Sequence, residues 1–288
     1  MTWLITGGSG QLGLALQREL NARDIEFSAP SSIDLDVTNS TEVMKAVKKI
    51  NPKIIVNAAA WTDVEAAETE IFRAFQVNAF GARNLADSSK SIRATFLHVS
   101  TDYIFSGISS MPWQESSKAN PMSIYGSSKN QGESFVKEVY PEKSYIIRTA
   151  WLYSENRKNF ARTIARLALK DSENVRVVND QIGQPTYAGD LAIKIIELIS
   201  TKSEIGLYHG TNSGEASWFD FAVEIFRQCG ADTKRIIPIP TNEFKSKVQR
   251  PKYSVLGHGA WNKTKCGEMR DWKLALSCAM PEIIRSVK

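Results

Sequence analysis

The stretch Trp3-Leu-Ile-Thr-Gly-Gly-Ser-Gly-Gln-Leu-Gly13 decides the fold of this 288-residue chain. Its first four residues are a short apolar run, which predicts a buried strand. Leucines at 12, 14, 16 and 20 then indicate a helix with an apolar face. The glycines at 7, 10 and 13 fall where the predicted strand turns into the predicted helix.

Glycine at these three positions suits a turn that binds a dinucleotide. A tight bend, close approach of the backbone to a pyrophosphate and close packing of helix on strand each exclude a side chain. The helix N-terminus then adds free N–H donors and partial positive charge. Glycine is also common in ordinary turns, but the strands and helices that follow favour dinucleotide binding. The spacing of three residues per step points toward the short-chain class of dehydrogenases.

The first half of the chain alternates short apolar runs with helical segments. This alternation predicts βαβ units with right-handed crossovers and a parallel sheet. The expected class is therefore α/β, a Rossmann-type doubly wound parallel sheet with a smaller α/β substrate-binding lobe. The predicted strands of this half are Trp3 to Thr6, Ile25 to Ser28, Lys53 to Ala60, Thr95 to Ser100 and Ser144 to Ala150.

The pattern loosens after Ala150, without a low-complexity linker or an internal repeat. Residues 1–150 are expected to form the dinucleotide-binding Rossmann domain, with a return near 175–212. Residues 151–288 are expected to form mainly the substrate-binding lobe, where Ser217 is a predicted helix N-cap. The other elements predicted here are a helix from Asn159 to Lys170, a strand at Val175 to Asn179, a helix from Ala188 to Ile199 and a strand at Gly206 to His209.

Composition and charge argue against several classes of protein. The chain is 42% hydrophobic and 23% charged, and no apolar run approaches the roughly 20 residues that span a bilayer. The first residues run directly into the glycine turn, so we expect a cytoplasmic protein without a membrane partner. The net charge of +5 comes from scattered lysines and arginines, which argues against a nucleic-acid partner. Cys229, Cys266 and Cys278 are far apart, and an odd number argues against a disulfide framework.

The adenosine end of the expected cofactor site involves an acidic residue. Such a residue about 20 positions beyond the glycine turn holds the ribose of NAD, and Asp34 and Asp36 lie near there. Asp36 is also placed to meet the adenine instead. No arginine stands at the end of the second strand to bind a 2′-phosphate, although Ser28, Ser31 and Ser32 could hydrogen-bond one. The choice between NADH and NADPH therefore stays open.

Tyr125 and Lys129 stand four residues apart and so share one face of a predicted helix. A free tyrosine with a pKa of about 10 rarely ionises at neutral pH. A nearby ammonium favours the phenolate and so eases proton exchange with a carbonyl or alcohol oxygen. Such pairs also arise by chance on surface helices, so the interpretation depends on the residues around them.

Polar side chains at two strand ends accompany this pair. Ser100-Thr-Asp-Tyr103 follows a predicted strand, at the edge where open α/β sheets bind their ligands. A hydroxyl there can hydrogen-bond the same substrate oxygen as Tyr125, although a turn that only caps the strand is the alternative. Asn57 and the three alanines after it would let the backbone lie against a flat cofactor. Asn78 could brace a proton relay or satisfy buried backbone groups, and both interpretations stay open.

Together these residues resemble the extended short-chain dehydrogenase/reductase superfamily, and within it the dTDP-4-dehydrorhamnose reductase family. The resemblance covers nearly the whole chain, and its later motifs are much more specific than Tyr-x-x-x-Lys. The motifs that carry it are Thr6-Gly-Gly-Ser-Gly-Gln-Leu-Gly13, Val56-Asn-Ala-Ala-Ala-Trp-Thr-Asp-Val-Glu-Ala-Ala-Glu68, Ser100-Thr-Asp-Tyr-Ile-Phe105, Arg148-Thr-Ala-Trp-Leu-Tyr153, Asn159-Phe160, Asp180-Gln-Ile-Gly-Gln-Pro-Thr186 and Arg250-Pro-Lys-Tyr-Ser254.

The resemblance implies roles for individual residues. Tyr125 would be the catalytic acid, Lys129 its modulator and ribose contact, and Thr101 the hydroxyl partner. Asp102 and Trp151 would contact the sugar. A hydride from NADPH or NADH would reach C4 of a dTDP-4-keto-6-deoxy sugar, giving dTDP-L-rhamnose or a close relative. The implied cofactor-binding residues, besides Tyr125 and Lys129, are Gly7, Gly10, Gln11, Leu12, Gly13, Asp36, Val37, Ala59, Ala60 and Thr62.

Other activities of the superfamily stay open from the sequence. Sugar-nucleotide dehydratases carry a carboxylate pair directly after the threonine, whereas here Asp102 is followed by Tyr103, so reduction without elimination fits better. A nucleotide-sugar 4-epimerase would hold NAD⁺ tightly. A non-catalytic regulatory subunit like the one that binds methionine adenosyltransferase would not need the proton donor. Trp218 and Trp272 could contact such a partner, but we interpret them as core aromatics.

Partners beyond the dTDP-sugar are also implied only by the resemblance. Some family members bind Mg²⁺ at a dimer contact through acidic residues. Asp190 stands in that neighbourhood, but no metal ligand is assigned, and bound and absent Mg²⁺ are both compatible with the sequence. A homodimer and a monomer are both compatible with the sequence.

Overall fold

The computed structural model describes residues 2–170, 173–244, 246 and 248–288. Its strands are, in chain order, β1 (Trp3–Thr6), β2 (Phe27–Ser28), β3 (Ile54–Asn57), β4 (Thr95–Thr101), β5 (Ser144–Thr149), β6 (Leu152–Tyr153), β7 (Val175–Val178), β8 (Ile182–Gly183), β9 (Thr186–Tyr187), β10 (Leu207–His209), β11 (Ala216–Ser217) and β12 (Ile236–Ile239). Its α-helices are α1 (Gln11–Asn21), α2 (Ser40–Ile50), α3 (Val64–Ala67), α4 (Ile71–Phe75), α5 (Gly81–Ser91), α6 (Ile124–Val139), α7 (Phe160–Lys170), α8 (Ala188–Ser200), α9 (Trp218–Gln228) and α10 (Trp272–Val287).

A parallel sheet of six strands lies at the centre, in the order β10-β5-β4-β3-β1-β2. β1 lies between β2 and β3, so the chain leaves it toward one edge of the sheet and then returns to its other side. In open α/β sheets a ligand crevice forms where the strand order reverses in this way. Every residue of β1, β3 and β5 is buried, as expected when helices cover both faces of a parallel sheet.

Helices pack on the two faces of this sheet. Leu16 and Leu20 of α1 share a core with Ile195 of α8 on one face, and Val43 of α2, Leu85 of α5 and Val136 of α6 fill the other. The predicted Rossmann-type doubly wound α/β architecture is therefore confirmed. Among the helices in the described part of the chain, none is long and apolar enough to cross a membrane.

The strand boundaries differ from prediction at two places in the first half. The third strand ends at Asn57 rather than Ala60, because residues 58–60 leave the sheet and line a groove. The second strand is only Phe27–Ser28, and it pairs with β1 alone at the edge of the sheet.

The part of the second half that rejoins the main sheet is shorter than the predicted range of 175–212. α8 packs on α1 and β10 adds the sixth strand. The predicted strand near Val175 instead pairs with β12 outside the main sheet, so the return begins with α8.

The second half builds a separate core around α7, α9 and α10. Phe221 of α9, Ile164 of α7 and Trp272 of α10 meet there, so Trp272 is a core aromatic as predicted. Ser217 caps α9 as predicted, and Asp220 completes a capping box by accepting the Ser217 backbone N–H. The helix α10 was not predicted, because its sequence gives a weak apolar pattern and contains a proline.

Candidate active site

A groove of about 860 Å³ runs along the carboxyl ends of β1, β3, β4 and β5. The structure brings all but one of the predicted site residues to this groove. Those that line it are Gly7, Gly10, Gln11, Leu12, Asp36, Val37, Ala59, Ala60, Thr62, Thr101, Asp102, Tyr125, Lys129 and Trp151. Gly13 does not line it, because it lies inside α1 with its Cα against the Gly7 carbonyl, where a Cβ would come within 2.3 Å.

The glycine turn has the form that an anion site requires. Gly7 has φ +70°, and a Cβ on it would lie 2.5 Å from the Ala58 carbonyl carbon and oxygen. The Gly10 N–H donates to the Gly7 carbonyl at 2.9 Å, which closes the turn. Gly10 precedes α1 and no side chain caps the first N–H groups of this helix. These donors and the helix dipole face the groove, as an anion site at a helix N-terminus requires.

The predicted adenosine end is partly preorganised. The Asp36 carboxylate accepts the backbone N–H and the hydroxyl of Thr38, both at 2.9 Å, which orients it at the rim of the groove. Of the three serines considered for a 2′-phosphate, only Ser32 lines the groove. The Ser31 hydroxyl donates to Asp34 at 2.6 Å instead.

Asn57 organises the turn that follows β3. Its side-chain oxygen accepts the Thr6 hydroxyl at 2.8 Å and the Ala59 N–H at 3.1 Å. Its amide nitrogen lies 3.1 Å from Nδ1 of His98. Burial, and then the charge of Lys129, lower the pKa of His98 well below its usual value. Neutral His98 therefore accepts from Asn57, and the alanine turn is held against the groove.

The helix α6, which carries Tyr125 and Lys129, is brought to the end of β4 by a close backbone contact. Ser123 caps α6 by accepting the Gly126 N–H at 3.1 Å. A Cβ on Gly126 would lie 2.2 Å from the Tyr103 carbonyl oxygen, so only glycine allows the first turn of α6 to sit so near the strand end. This contact places Tyr125 beside Thr101, with the Tyr103 ring edge against the Tyr125 ring at 5.5 Å and 76°.

Tyr125 is buried, and its proton is held tightly. Burial raises the pKa of Tyr125 well above 10, and the neighbouring Thr101 hydroxyl lowers it in part. This differs from the predicted lowering by Lys129, because the loss of hydration dominates and the nearby charge of Asp102 raises the pKa further. At neutral pH the side chain is therefore a phenol, the form that can donate a proton.

Lys129 is 2% exposed and anchors α6 to the sheet by donating from Nζ to the Val99 carbonyl at 2.5 Å. Burial lowers the pKa of Lys129 to about 8, and the charge of Glu133 opposes this. Glu133 is itself buried and accepts both Nε and Nη2 of Arg148 at 2.8 Å. The pKa of Glu133 is lowered despite its burial, because Arg148 stabilises the carboxylate. The ammonium of Lys129 thus lies beside a fixed buried anion.

Asp102 and Tyr103 complete the strand end. Burial raises the pKa of Asp102 to about 6, and a hydrogen bond from Thr101 at 3.0 Å limits the rise. Burial also raises the pKa of Tyr103 to about 12. A phenol therefore stands after Asp102, and the two residues that follow Thr101 do not form a carboxylate pair.

Trp151 forms an aromatic wall with Trp218. Their rings stack with centroids 3.6 Å apart and planes 8° from parallel, and both residues line the groove. Trp151 has φ +44°, and a Cβ on Gly183 would lie 2.5 Å from its ring. Trp218 is therefore not only the core aromatic that we predicted, because it also stacks against Trp151, the residue predicted to contact the sugar.

Asn78 satisfies backbone groups, which is one of its two predicted interpretations. Its side chain accepts the Trp61 N–H at 2.8 Å and donates to the Trp61 carbonyl at 3.1 Å. It also donates to the Ser128 hydroxyl at 2.9 Å. Asn78 lies in a π-helical turn, Gln76–Phe80, and it links the groove wall to α6.

Sequence reasoning missed two cations at the groove. Arg157 and Lys158 line it beside the glycine turn, although they follow the motif Arg148–Tyr153 without a pattern of their own. Their proximity to the turn depends on a loop path that local sequence does not reveal. Arg250, which lies in a predicted motif, lines the groove near Tyr103.

Asp190 does not fit a role as a magnesium ligand. Its two carboxylate oxygens accept Nε and Nη2 of Arg270 at 2.8 and 2.7 Å, and Asn212 donates to it at 2.8 Å. Within the described ranges, no group of three or more histidine, cysteine or acidic residues is arranged to hold a metal. No step of a reaction is therefore assigned to Mg²⁺.

Known proteins resemble this chain over nearly its whole length. A family model described as the RmlD substrate binding domain matches residues 1–284. A dTDP-4-keto-6-deoxy-D-glucose reductase of Streptomyces niveus is 40% identical, with 97% of this chain and 96% of the relative covered. A dTDP-4-dehydrorhamnose reductase of Streptomyces griseus is 39% identical over 98% and 93%.

A solved structure is similar to this chain in both sequence and fold. The dTDP-4-dehydrorhamnose reductase of Bacillus anthracis, crystallised in complex with NADP, is 40% identical with a TM-score of 0.93. The match covers 98% of this chain and 99% of that one. With its glycine turn, strand-end threonine and Tyr-x-x-x-Lys pair in one groove, this chain belongs to the RmlD substrate-binding-domain family.

Proposed function

We propose that this protein is an NAD(P)H-dependent reductase of the C4 keto group of a dTDP-4-keto-6-deoxy sugar. Its substrate is dTDP-4-dehydro-L-rhamnose and its product is dTDP-L-rhamnose. The observation that carries the proposal is the meeting of Thr101, Tyr125 and Lys129 in the groove that starts at the glycine turn. The relatives from Streptomyces niveus and Streptomyces griseus, which are named as reductases of such sugars, support it.

The residues of the groove fit a dinucleotide. The turn at Gly7 and Gly10 and the first N–H groups of α1 would hold the pyrophosphate, and Asp36 would meet the adenosine. Ala59 and Ala60 would lie against the flat part of the cofactor. When bound, the reduced nicotinamide supplies the hydride. NADPH is our proposed preference, supported by the NADP complex of the Bacillus anthracis relative.

The protein's own contribution to the reaction is proton delivery and positioning. Tyr125 stays protonated at neutral pH because burial raises its pKa, so it can give its proton to the C4 oxygen as that oxygen gains charge. Thr101 offers a second hydroxyl at the same place. Lys129 places a positive charge in the same buried region, which stabilises the phenolate that Tyr125 leaves behind.

The opposite wall of the groove would bind the sugar. The stacked indoles of Trp151 and Trp218 offer an apolar face, which suits the C–H faces and methyl group of a 6-deoxy sugar. Asp102 provides a buried hydrogen-bonding group for a hydroxyl. Because Tyr103 replaces a second carboxylate, elimination of water is not favoured.

The remaining predictions are kept as part of the proposal. We infer a cytoplasmic enzyme that acts on a small molecule and not on nucleic acid. We also keep residues 1–150 as the cofactor domain and 151–288 as mainly the substrate lobe. A homodimer stays a prediction alongside a monomer.

The test is to incubate the protein with dTDP-4-dehydrorhamnose and NADPH or NADH, following the loss of reduced-nicotinamide absorbance and identifying the product by NMR. Tyr125→Phe should lower kcat by about 100-fold or more while the cofactor still binds. Tyr140→Phe is the matched control, because the Tyr140 hydroxyl has no hydrogen-bond partner in the described ranges and lies outside the groove. Undiminished reduction by Tyr125→Phe would remove Tyr125 as the acid.

The same experiment separates the alternatives. Tightly bound NAD⁺ with sugar epimerisation and no net consumption of cofactor would identify a 4-epimerase. Cofactor binding without turnover of any dTDP-sugar would favour the non-catalytic regulatory subunit.

A further inference from the structure

We propose that Arg157 and Lys158 hold a phosphate group of the dinucleotide cofactor, from a segment outside the predicted cofactor domain. The inference rests on the proposed function, because it requires a dinucleotide in the groove. It adds a binding contribution from the second half of the chain to a site that the sequence assigned to the first half.

The two residues belong to residues 152–159, which we call the crossover segment because it passes over the glycine turn. Arg157 donates from Nε to the Ser9 carbonyl oxygen at 2.6 Å. Both Arg157 and Lys158 are exposed, and both line the groove. The segment therefore places two cations at the end of the groove where α1 begins.

The crossover segment is fastened to α1 on both sides of these cations. Oε1 of Gln11 accepts the Ser154 hydroxyl at 3.0 Å and the Asn159 amide at 2.9 Å. Arg18 forms an ion pair with Glu155 at 2.8 Å. The side chain of Gln11, a predicted cofactor contact, is thus used to hold the segment, which leaves the Gln11 backbone to face the cofactor.

The backbone at Arg157 is also fixed in an unusual conformation. Its φ is +60°, in the left-handed region that favours glycine. Its carbonyl accepts Nη1 of Arg162 at 2.7 Å and the Asn159 amide at 3.3 Å. A non-glycine residue keeps such a conformation only where its surroundings impose it, so the direction of the Arg157 side chain is set by the segment.

The charges along the groove point to a phosphate at this end. Its lining cations in the described ranges are Lys129, Arg157, Lys158 and Arg250. Lys129 is bound to the Val99 carbonyl, and Arg250 lies near Tyr103 at the sugar end. Arg157 through its terminal nitrogens, and Lys158 through Nζ, make no hydrogen bond or ion pair with the described residues. These donors are therefore available for the anion that the glycine turn attracts.

Two phosphate-bearing parts of the cofactor have the chemistry required. The pyrophosphate is present in both NADH and NADPH, and the 2′-phosphate only in NADPH. The exit of β2 lines the groove with Pro30 and Ser32 and, in the described ranges, offers no cation there. A comparison of the two cofactors therefore tells which phosphate the crossover segment holds.

The experiment measures the Kd of NADPH and of NADH by titration calorimetry for wild type, Arg157→Gly, Lys158→Gln and the double variant. Arg157→Gly removes the cation while glycine accepts the positive φ, so folding is retained. Arg166→Gln is the matched control, because Arg166 is exposed on α7 and does not line the groove. It removes one positive charge, as each single variant does.

We expect each single variant to weaken binding by about tenfold, the loss of one charge-assisted hydrogen bond, and Arg157→Lys to restore part of it. Equal losses for both cofactors identify the pyrophosphate, and a loss for NADPH alone identifies the 2′-phosphate. Kd values for the double variant that match those of Arg166→Gln would overturn the inference. If the variants weaken cofactor binding as expected but the wild-type protein reduces no dTDP-sugar, the proposed function fails and this inference stands.

Discussion

Replacement of Gly7 by alanine tests the central geometry of the glycine turn. Gly7 has φ +70°, and a Cβ there would lie 2.5 Å from the Ala58 carbonyl carbon and oxygen and 2.6 Å from the Ala59 nitrogen. The left-handed backbone costs a non-glycine residue about 1–2 kcal/mol. The contact with rigid backbone adds about 1–3 kcal/mol, as overpacking does elsewhere. We therefore expect Gly7→Ala to lower the free energy of unfolding by about 2–5 kcal/mol.

Two other glycines separate these contributions. Gly230 has φ +72° and nothing within 4 Å of its Cβ position, and Gly206 has neither a positive φ nor a contact within 4 Å. Gly230→Ala should cost only the backbone contribution of about 1–2 kcal/mol. Gly206→Ala should be neutral or stabilise the fold by up to about 1 kcal/mol, since alanine restricts the unfolded chain.

The assay is urea unfolding of the three variants and wild type, together with the Kd of NADPH. Only Gly7→Ala should weaken NADPH binding, because only it displaces the turn that faces the groove. If Gly7→Ala destabilised the protein no more than Gly230→Ala, the close approach of Gly7 to Ala58 would be wrong. The placement of β1 against β3, where the strand order of the sheet reverses, would then need revision.

Three further predictions concern α6 and the aromatic wall. Lys129 has a pKa of about 8 and loses its charge as pH rises through that value. We therefore expect kcat/KM for the sugar to fall above about pH 8, and a similar fall in Lys129→Met would show that another group causes it. Glu133→Gln should lower the free energy of unfolding in urea by about 3–5 kcal/mol, because it leaves buried Arg148 without its anion; a loss under about 1 kcal/mol would contradict it. Trp218→Ala should raise KM for the sugar several-fold and abolish the exciton signal of the stacked indoles in circular dichroism; a retained signal would show that Trp218 does not stack on Trp151.

The local sequence pattern determined the strands and helices of the first half and the positions of the candidate site residues along the chain. Strands buried on both faces are continuous apolar runs, so β1, β4 and β5 were predicted almost to the residue. Turns that require glycine and helix caps such as Ser217 are also local. Local physics suffices for these features, because each depends on the residues within one turn or one strand.

The contacts between distant segments were decided only by the tertiary structure. The crossover segment lies over the glycine turn through Arg157 and Ser9, and Trp218 supports Trp151. Neither pairing has a local signal, because each joins elements that are far apart in sequence. The protonation of Tyr125 was also decided there. The sequence showed a lysine four residues away and predicted a lowered pKa, but burial in the folded groove raises the phenol's pKa. Desolvation depends on everything packed around a group, and that is a property of the folded molecule alone.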